Sequence, residues 1–186
     1  MKKKIFAISG STQKGSSNNH ILRHIANTFK DIIELDLFAE IDQLPHFNPE
    51  LDTDHPPVAI TAFRKRIQEA DGVIICSPEY IFSLPGSLKN AIEWNVSTTL
   101  FSGKAVAIII AAASGEKAFA SLDLIMTTIE AVISPTSKLL IKGAKAKVGE
   151  DGVFRDHVYA EKIEQLIASL LSTIENQDKT PTKFRN

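Results

Sequence analysis

The sequence predicts an α/β protein in which a five-stranded parallel sheet is covered by helices on both faces. Two observations support this prediction. Short runs of consecutive apolar residues, such as 72–77 and 105–112, are typical of strands that are buried on both sides. Segments with apolar residues at helical spacing alternate with these runs five times, and this alternation is the pattern of a parallel sheet with crossover helices.

Each predicted element follows from its local pattern. The predicted strands are residues 5–9, 32–37, 72–77, 105–112 and 139–141, and the helices carry their apolar positions within residues 21–29, 60–70, 88–94, 118–132 and 163–174. Pro, Asp, Asn and His are frequent in residues 44–57, which indicates a long surface loop. Residues 1–175 therefore form one predicted domain, and residues 176–186 form a polar C-terminal tail.

Composition limits the classes of function. The hydrophobic fraction of 44% and the charged fraction of 23% are ordinary for a soluble globular protein. The net charge of -1 provides no basic field for nucleic acid, and no apolar run approaches the ~20 residues of a membrane span. Cys76 is the only cysteine, so we expect no internal disulfide, a buried thiol and a reducing cytoplasm. The five histidines have no ligand spacing, so no metal site is predicted.

The loop after the first strand, residues 10–18, has the composition of an anion site. Parallel sheets bind ligands beyond the carboxyl ends of their strands, and this loop leads into a helix whose N-terminus attracts negative charge. Its small and hydroxyl residues allow backbone N–H groups to surround a phosphate. It lacks the Gly-Lys-Ser/Thr of a P-loop and the glycine spacing of a dinucleotide site. An ordinary turn followed by a helix cap explains the loop alone about equally well.

Two further loops lie at the same edge of the predicted sheet. Two prolines stiffen residues 77–86, so this loop can present backbone groups to a flat heteroaromatic ring beside Tyr80 and Phe82. Those aromatic residues can equally well cover the sheet edge. Small residues at 112–117 allow a ligand to approach the backbone, although any strand-to-helix turn needs such residues.

The run 77–94 resembles a known family. It reads Ser-Pro-Glu-Tyr, then Ser-Leu-Pro-Gly-Ser-Leu-Lys-Asn-Ala-Ile-Glu-Trp from Ser83, and it is similar to the signature of NADPH-dependent FMN reductases, whose relatives reduce quinones, azo dyes and chromate. The first loop of that family reads Gly-Ser-x-Arg-x-x-Ser-x-Asn, and Gly10, Ser11, Ser16 and Asn18 match it in register. The resemblance covers roughly residues 3–175.

This resemblance implies a flavodoxin-like fold that binds FMN at the three loops. The residues implied to contact the cofactor are Ser11, Gln13, Ser16, Ser17 and Asn18 around the phosphate, Pro78, Glu79, Tyr80 and Ile81 along the isoalloxazine, and Ser114 and Gly115 on its other side. The sequence departs from the family at three points. Gln13 stands in place of an arginine, Ile81 in place of an asparagine, and the third loop has one glycine where the family has several.

The resemblance also implies an activity. We expect an oxidoreductase that takes hydride from NADPH or NADH and reduces small acceptors such as flavins, quinones or azo compounds in a ping-pong reaction. No catalytic side chain is expected, because the flavin carries the chemistry. Two alternatives remain open at this point. One is a flavodoxin-like electron carrier, against which the weak net charge argues, and the other is a flavin-free binding or regulatory domain, which Gln13 and Ile81 would suit.

Family members form dimers or tetramers, so a homodimer or homotetramer is implied here. The residues also indicate self-association. Tyr80, Phe82, Leu84 and Trp94 surround one short loop and one helix, and exposed clusters of large apolar groups mark contact surfaces. The alternative is that Trp94 is buried in the protein's own core.

Overall fold

A five-stranded, fully parallel sheet forms the centre of the protein, in a computed structural model that describes residues 1–179 and their side chains as far as residue 176. The strand order is β2-β1-β3-β4-β5. The strands are β1 Lys3–Ser9, β2 Ile33–Phe38, β3 Gly72–Ser77, β4 Ala105–Ala112 and β5 Lys138–Lys142. The predicted fold class is confirmed, and β3 and β4 have the predicted bounds.

Six α-helices lie in the described part of the chain. They are α1 Ser17–Thr28, α2 Val58–Glu69, α3 Gly86–Glu93, α4 Glu116–Thr128, α5 Ala144–Lys147 and α6 His157–Lys179. The predicted loop at 44–57 contains one short 3-10 turn, Pro49–Leu51. Helix α4 is shorter than predicted, since its apolar positions were expected to reach residue 132. It ends before Glu130, whose φ of 63° cannot continue a helix, and Val132 then forms a bridge with Ala105.

The last helix is longer than the sequence pattern predicted. It passes Asn176, the expected start of a polar tail, and reaches Lys179. Residues 175–179 contain no Gly or Pro, so no helix-breaking residue ends α6 there. Residues 180–186, the rest of the predicted tail, lie outside the described residues.

Alternating side chains along each strand build two cores. Phe6 and Ile8 of β1 pack with α2, α3 and α4 on one face of the sheet, while Ile5 and Ala7 pack with α1 and α6 on the other. Both faces are therefore dry, which explains why the strands appear in the sequence as continuous apolar runs. Cys76 is buried in the second core, as predicted, and burial raises the pKa of its thiol.

The strand order predicts where a ligand cleft lies. β1 is followed by α1 on one face of the sheet, and β3 is followed by α3 on the other face. The connections that leave these two neighbouring strands therefore diverge. Such a divergence at the carboxyl ends of parallel strands opens a ligand crevice. No helix in the described residues is long and apolar enough to span a bilayer.

Candidate cofactor site

The first loop lies tightly against the end of β3. Gly10 donates its N–H to the carbonyl of Cys76 at 2.8 Å, and a Cβ on Gly10 would lie 2.5 Å from Ser77 Oγ. Only glycine fits this close approach. Further along, the amide of buried Asn19 donates to the carbonyls of Gln13 and Lys14 at 3.2 and 3.3 Å. Asn19 was not predicted as a site residue, yet it fixes the shape of the loop.

Ser16 is the N-cap of α1. Its hydroxyl accepts a hydrogen bond from the N–H of Asn19 at 3.2 Å, which is the usual use of a serine at this position. The first N–H groups of a helix have no partner inside the helix, so those of Ser17 and Asn18 remain available to an anion. Ser17 is half-buried at this helix start, Ser11 is buried beside it, and Gln13 is exposed.

The side chain of Asn18 is buried beneath the cleft. Its side-chain amide donates to the carbonyl of Ala111 in β4 at 3.3 Å and accepts from the thiol of Cys76 in β3. The residue is only 3% exposed. The side chain of Asn18 thus joins the first helix to the two central strands, and its contribution to an anion would come through the backbone N–H.

Glu79 connects the second loop to the third. Its carboxylate accepts hydrogen bonds from the backbone N–H groups of Gly115 at 3.1 Å and of Lys117 and Ala118 at 2.9 Å each. These groups form the start of α4, where a carboxylate is stabilised by the unpaired donors and the helix dipole. Gly115 adopts a φ of 97°, and a Cβ there would lie 2.7 Å from Leu140. The sequence did not reveal this cap.

A tight turn follows at the tip of the second loop. Tyr80 and Ser83 exchange two backbone hydrogen bonds, of 3.0 and 3.1 Å, around Ile81 and Phe82. Both central residues have positive φ, 50° and 54°, a conformation that suits Asn and Gly and is strained for a β-branched side chain. Ile81 is 96% exposed and Phe82 is 76% exposed. The turn therefore holds two apolar side chains out from the protein.

A cleft of about 520 Å³ opens where these loops meet. This volume is within the range of about 300–1,000 Å³ that is typical of small-molecule sites. Its walls come from four loops: Ser11, Gln13, Gly15, Ser16, Ser17 and Asn18 after β1, Pro78, Glu79 and Tyr80 after β3, Ala111, Ala112 and Ala113 at the end of β4, and Gly143, Ala144, Lys145 and Ala146 after β5. Ile81, Ser114 and Gly115, which were also predicted, do not line it.

The fourth wall was missed by sequence reasoning. Residues 143–146 have neither an apolar periodicity nor a recognised motif, and α5 is too short to be predicted from spacing. The available signal was topological, since the loop after β5 must lie at the same edge as the loop after its neighbour β4. Gly143 confirms this neighbourhood by donating its N–H to the carbonyl of Ala113 at 3.1 Å.

The cleft has the chemistry that a flavin mononucleotide needs. One end combines the start of α1 with serine hydroxyls, which suits a phosphate. The floor consists of alanines at the end of β4, which leave room for a flat ring close to the backbone. Glu79, the one carboxylate among the lining residues, turns its charge toward the α4 amides, so the cleft does not oppose an anionic ligand.

The end of the motif, at α3 and Trp94, is packed inside the fold and does not form a surface. Trp94 is fully buried, and its ring N–H donates to the carbonyl of Pro45 at 2.8 Å. Asn90 donates to the same carbonyl at 3.0 Å and accepts from the N–H of Phe47 at 2.7 Å. The prediction that Trp94 and Leu84 belong to an exposed cluster is wrong, because both are buried while the loop after β2 covers the indole.

Comparison with known proteins places this architecture. Residues 3–146 match the family model described as NADPH-dependent FMN reductase. The chain is 33% identical to the NADH:(hydroxy)cinnamate reductase subunit CrdA of Vibrio ruber, over 93% of this chain and 94% of that one. It is 31% identical to the NAD(P)H-dependent FMN reductase PA1204 of Pseudomonas aeruginosa, over 90% and 92%.

A solved structure agrees. The flavoenzyme NAD(P)H:(acceptor) oxidoreductase FerB from Paracoccus denitrificans superposes with a TM-score of 0.83 at 25% identity, covering 94% of this chain and 98% of that one. The cleft at the carboxyl ends of the strands thus lies on a fold shared with a flavoenzyme. This chain belongs to the NADPH-dependent FMN reductase family.

Proposed function

We propose that the cleft binds FMN, with the phosphate at the start of α1 and the ring between the second and third loops, and that the protein uses it to reduce small acceptors such as quinones with NAD(P)H. The observation that carries this proposal is the meeting of an anion-binding helix start with an alanine floor in one cleft at the switch point of the sheet. Family membership supports the same cofactor and reductant.

The backbone is the main phosphate ligand in this proposal. The N–H groups of Ser17 and Asn18 and the hydroxyls of Ser11 and Ser17 provide the donors, while Asn19 and the Ser16 cap hold them in place. Pro78, Glu79 and Tyr80 offer backbone groups to the ring.

One cleft feature favours a mononucleotide over a dinucleotide. The helices α1 and α4 begin at the edge of the sheet where the loops lie. The amides that start α4 are already satisfied by Glu79, so they are not free for a second phosphate.

The loops after β1, β3 and β4 would hold FMN, which would supply the redox chemistry, namely hydride acceptance from the nicotinamide and electron transfer to the acceptor. In this proposal the residues of the chain bind and orient the cofactor and exclude water from it. Among the described residues that line the cleft, Glu79, Tyr80 and Lys145 have ionisable side chains, and Glu79 is engaged by three amides. We assign no side chain an acid or base role, because the cofactor carries the chemistry.

Titration of the purified protein with FMN, FAD and riboflavin tests the proposal, with flavin fluorescence as the readout. We expect saturable binding with FMN tighter than both of the others. FAD binding as tight as FMN binding, or no binding of FMN, would contradict it.

Self-association through the exposed turn is part of the proposal. Ile81 and Phe82 project from the rim next to Tyr80, so a second copy that covers them would also border the cleft. Light scattering should give a mass of at least twice 20.4 kDa. Ile81→Ser with Phe82→Ser should shift it to the monomer, while Val96→Ser with Leu124→Ser, at exposed positions elsewhere, should not. A wild-type monomer would contradict this interface.

A further inference from the structure

Lys145 is the only cationic residue among the described residues that line the cleft. The family's arginine in the first loop is Gln13 here, and the neighbouring Lys14 is exposed and does not line the cleft. A phosphate monoester carries close to two negative charges near neutral pH, and hydrogen bonds from neutral donors leave most of that charge uncompensated. The first loop therefore places no cation in the cleft, whereas the opposite wall does.

The backbone around Lys145 is held firmly on this wall. Gly143 is tied to Ala113, and Ala144 is buried in the same core as α1. Further on, a Cβ at Gly152 would lie 2.4 Å from the carbonyl of His20 in α1. The segment after β5 is thus packed directly against the helix whose start lines the phosphate end.

The other lysines of this region already have partners. Lys138 pairs with Asp123 at 2.7 Å, Lys142 pairs with Glu116, and Lys147 donates to the hydroxyl of Tyr159 at 2.8 Å. Lys145 makes no ion pair or side-chain hydrogen bond within the part of the chain that the structure describes. It is exposed, and its long side chain can reach across an open cleft without breaking an existing contact.

We infer that Lys145 provides the positive charge for the FMN phosphate in place of the missing arginine of the first loop. This inference rests on the proposed FMN site and names a binding residue within it. Because the contact is ionic and solvent-exposed, it acts on the phosphate alone and weakens as salt rises. The contact does not affect binding of the rest of the flavin.

The test compares FMN with riboflavin, which has the same ring and no phosphate. Dissociation constants are measured by fluorescence for wild-type protein, Lys145→Gln, Lys145→Arg and the control Lys142→Gln, at low and high salt. We expect Lys145→Gln to weaken FMN binding by about two- to fivefold at low salt and by less at high salt. Riboflavin affinity should be unchanged, and Lys145→Arg and Lys142→Gln should bind FMN as the wild type does.

Two results would overturn the inference about Lys145. One is FMN affinity in Lys145→Gln equal to that of the wild type. The other is an equal loss of FMN and riboflavin affinity, which would mean that Lys145 shapes the wall instead of contacting phosphate. Wild-type protein that binds neither flavin would overturn the proposed function itself, so the two failures are distinguishable.

Discussion

The carboxylate of Glu79 accepts a hydrogen bond from the backbone N–H of Ala118 at 2.9 Å, across 39 positions of sequence. This bond, with those from Gly115 and Lys117, joins the loop beside the predicted flavin ring to the start of α4. Three hydrogen bonds therefore link the second loop to the third.

Glu79→Gln should destabilise the protein and weaken flavin binding together. Glutamine keeps one acceptor oxygen and turns an NH₂ group toward backbone donors, so charge-assisted hydrogen bonds are lost. We expect a decrease of about 1–3 kcal/mol in the free energy of unfolding, measured with urea. Glu93→Gln, which breaks only an exposed pair with Lys89, is the control. An unchanged urea midpoint for Glu79→Gln would show that the cap contributes nothing.

Asn18→Ala should also lower stability, because it leaves the carbonyl of Ala111 without its buried donor. The expected loss is about 1–3 kcal/mol in the free energy of unfolding, with weaker FMN binding as a consequence. Ser17→Ala, at the same helix start and half-buried, should change stability by less than about 0.5 kcal/mol. If Asn18→Ala had wild-type stability, the structural role would be refuted, and a direct contact between the Asn18 side chain and the phosphate would be favoured.

Ile81→Asn should raise stability by about 1 kcal/mol. A non-glycine residue pays roughly 1–2 kcal/mol for left-handed φ, and asparagine tolerates it best after glycine. Ile81 buries almost no surface within its own chain, so its removal costs little packing there, and the expected gain is that of the single subunit. Val96→Asn changes the same chemistry at an exposed residue without positive φ and should not stabilise. Thermal unfolding of both variants is the measurement, and equal shifts would refute strain at the turn.

Gln13→Arg should tighten FMN binding and leave riboflavin binding unchanged. Gln13 lines the cleft and is exposed, so the new ionic contact is worth up to ~1 kcal/mol, or about fivefold in affinity, at low salt. Calorimetry on both proteins measures it. An arginine variant that binds FMN no better would indicate that the phosphate is already neutralised.

The sheet was predictable because its strands are buried on both faces, which leaves continuous apolar runs such as 72–77 and 105–112. The loop after β1 could be selected as a candidate phosphate site because its residues are consecutive. The role of the Glu79 side chain was not predictable, because its partners lie 36–39 positions away and are backbone groups, which no sequence pattern records. Trp94 was misassigned because only the fold brings Pro45 and Phe47 over its ring. Lys145 lies in α5, which is too short to show a helical periodicity, so only the topology could place it.

The most direct test of the account is anaerobic reduction of the FMN-loaded protein by NADPH, followed by addition of a benzoquinone. We predict that FMN binds, that its visible absorbance bleaches on addition of NADPH or NADH, and that the quinone restores it. An apoprotein that takes up no FMN would contradict the cofactor site. Bound FMN that neither nicotinamide bleaches would contradict the reductase and favour an electron carrier that is reduced by a protein partner.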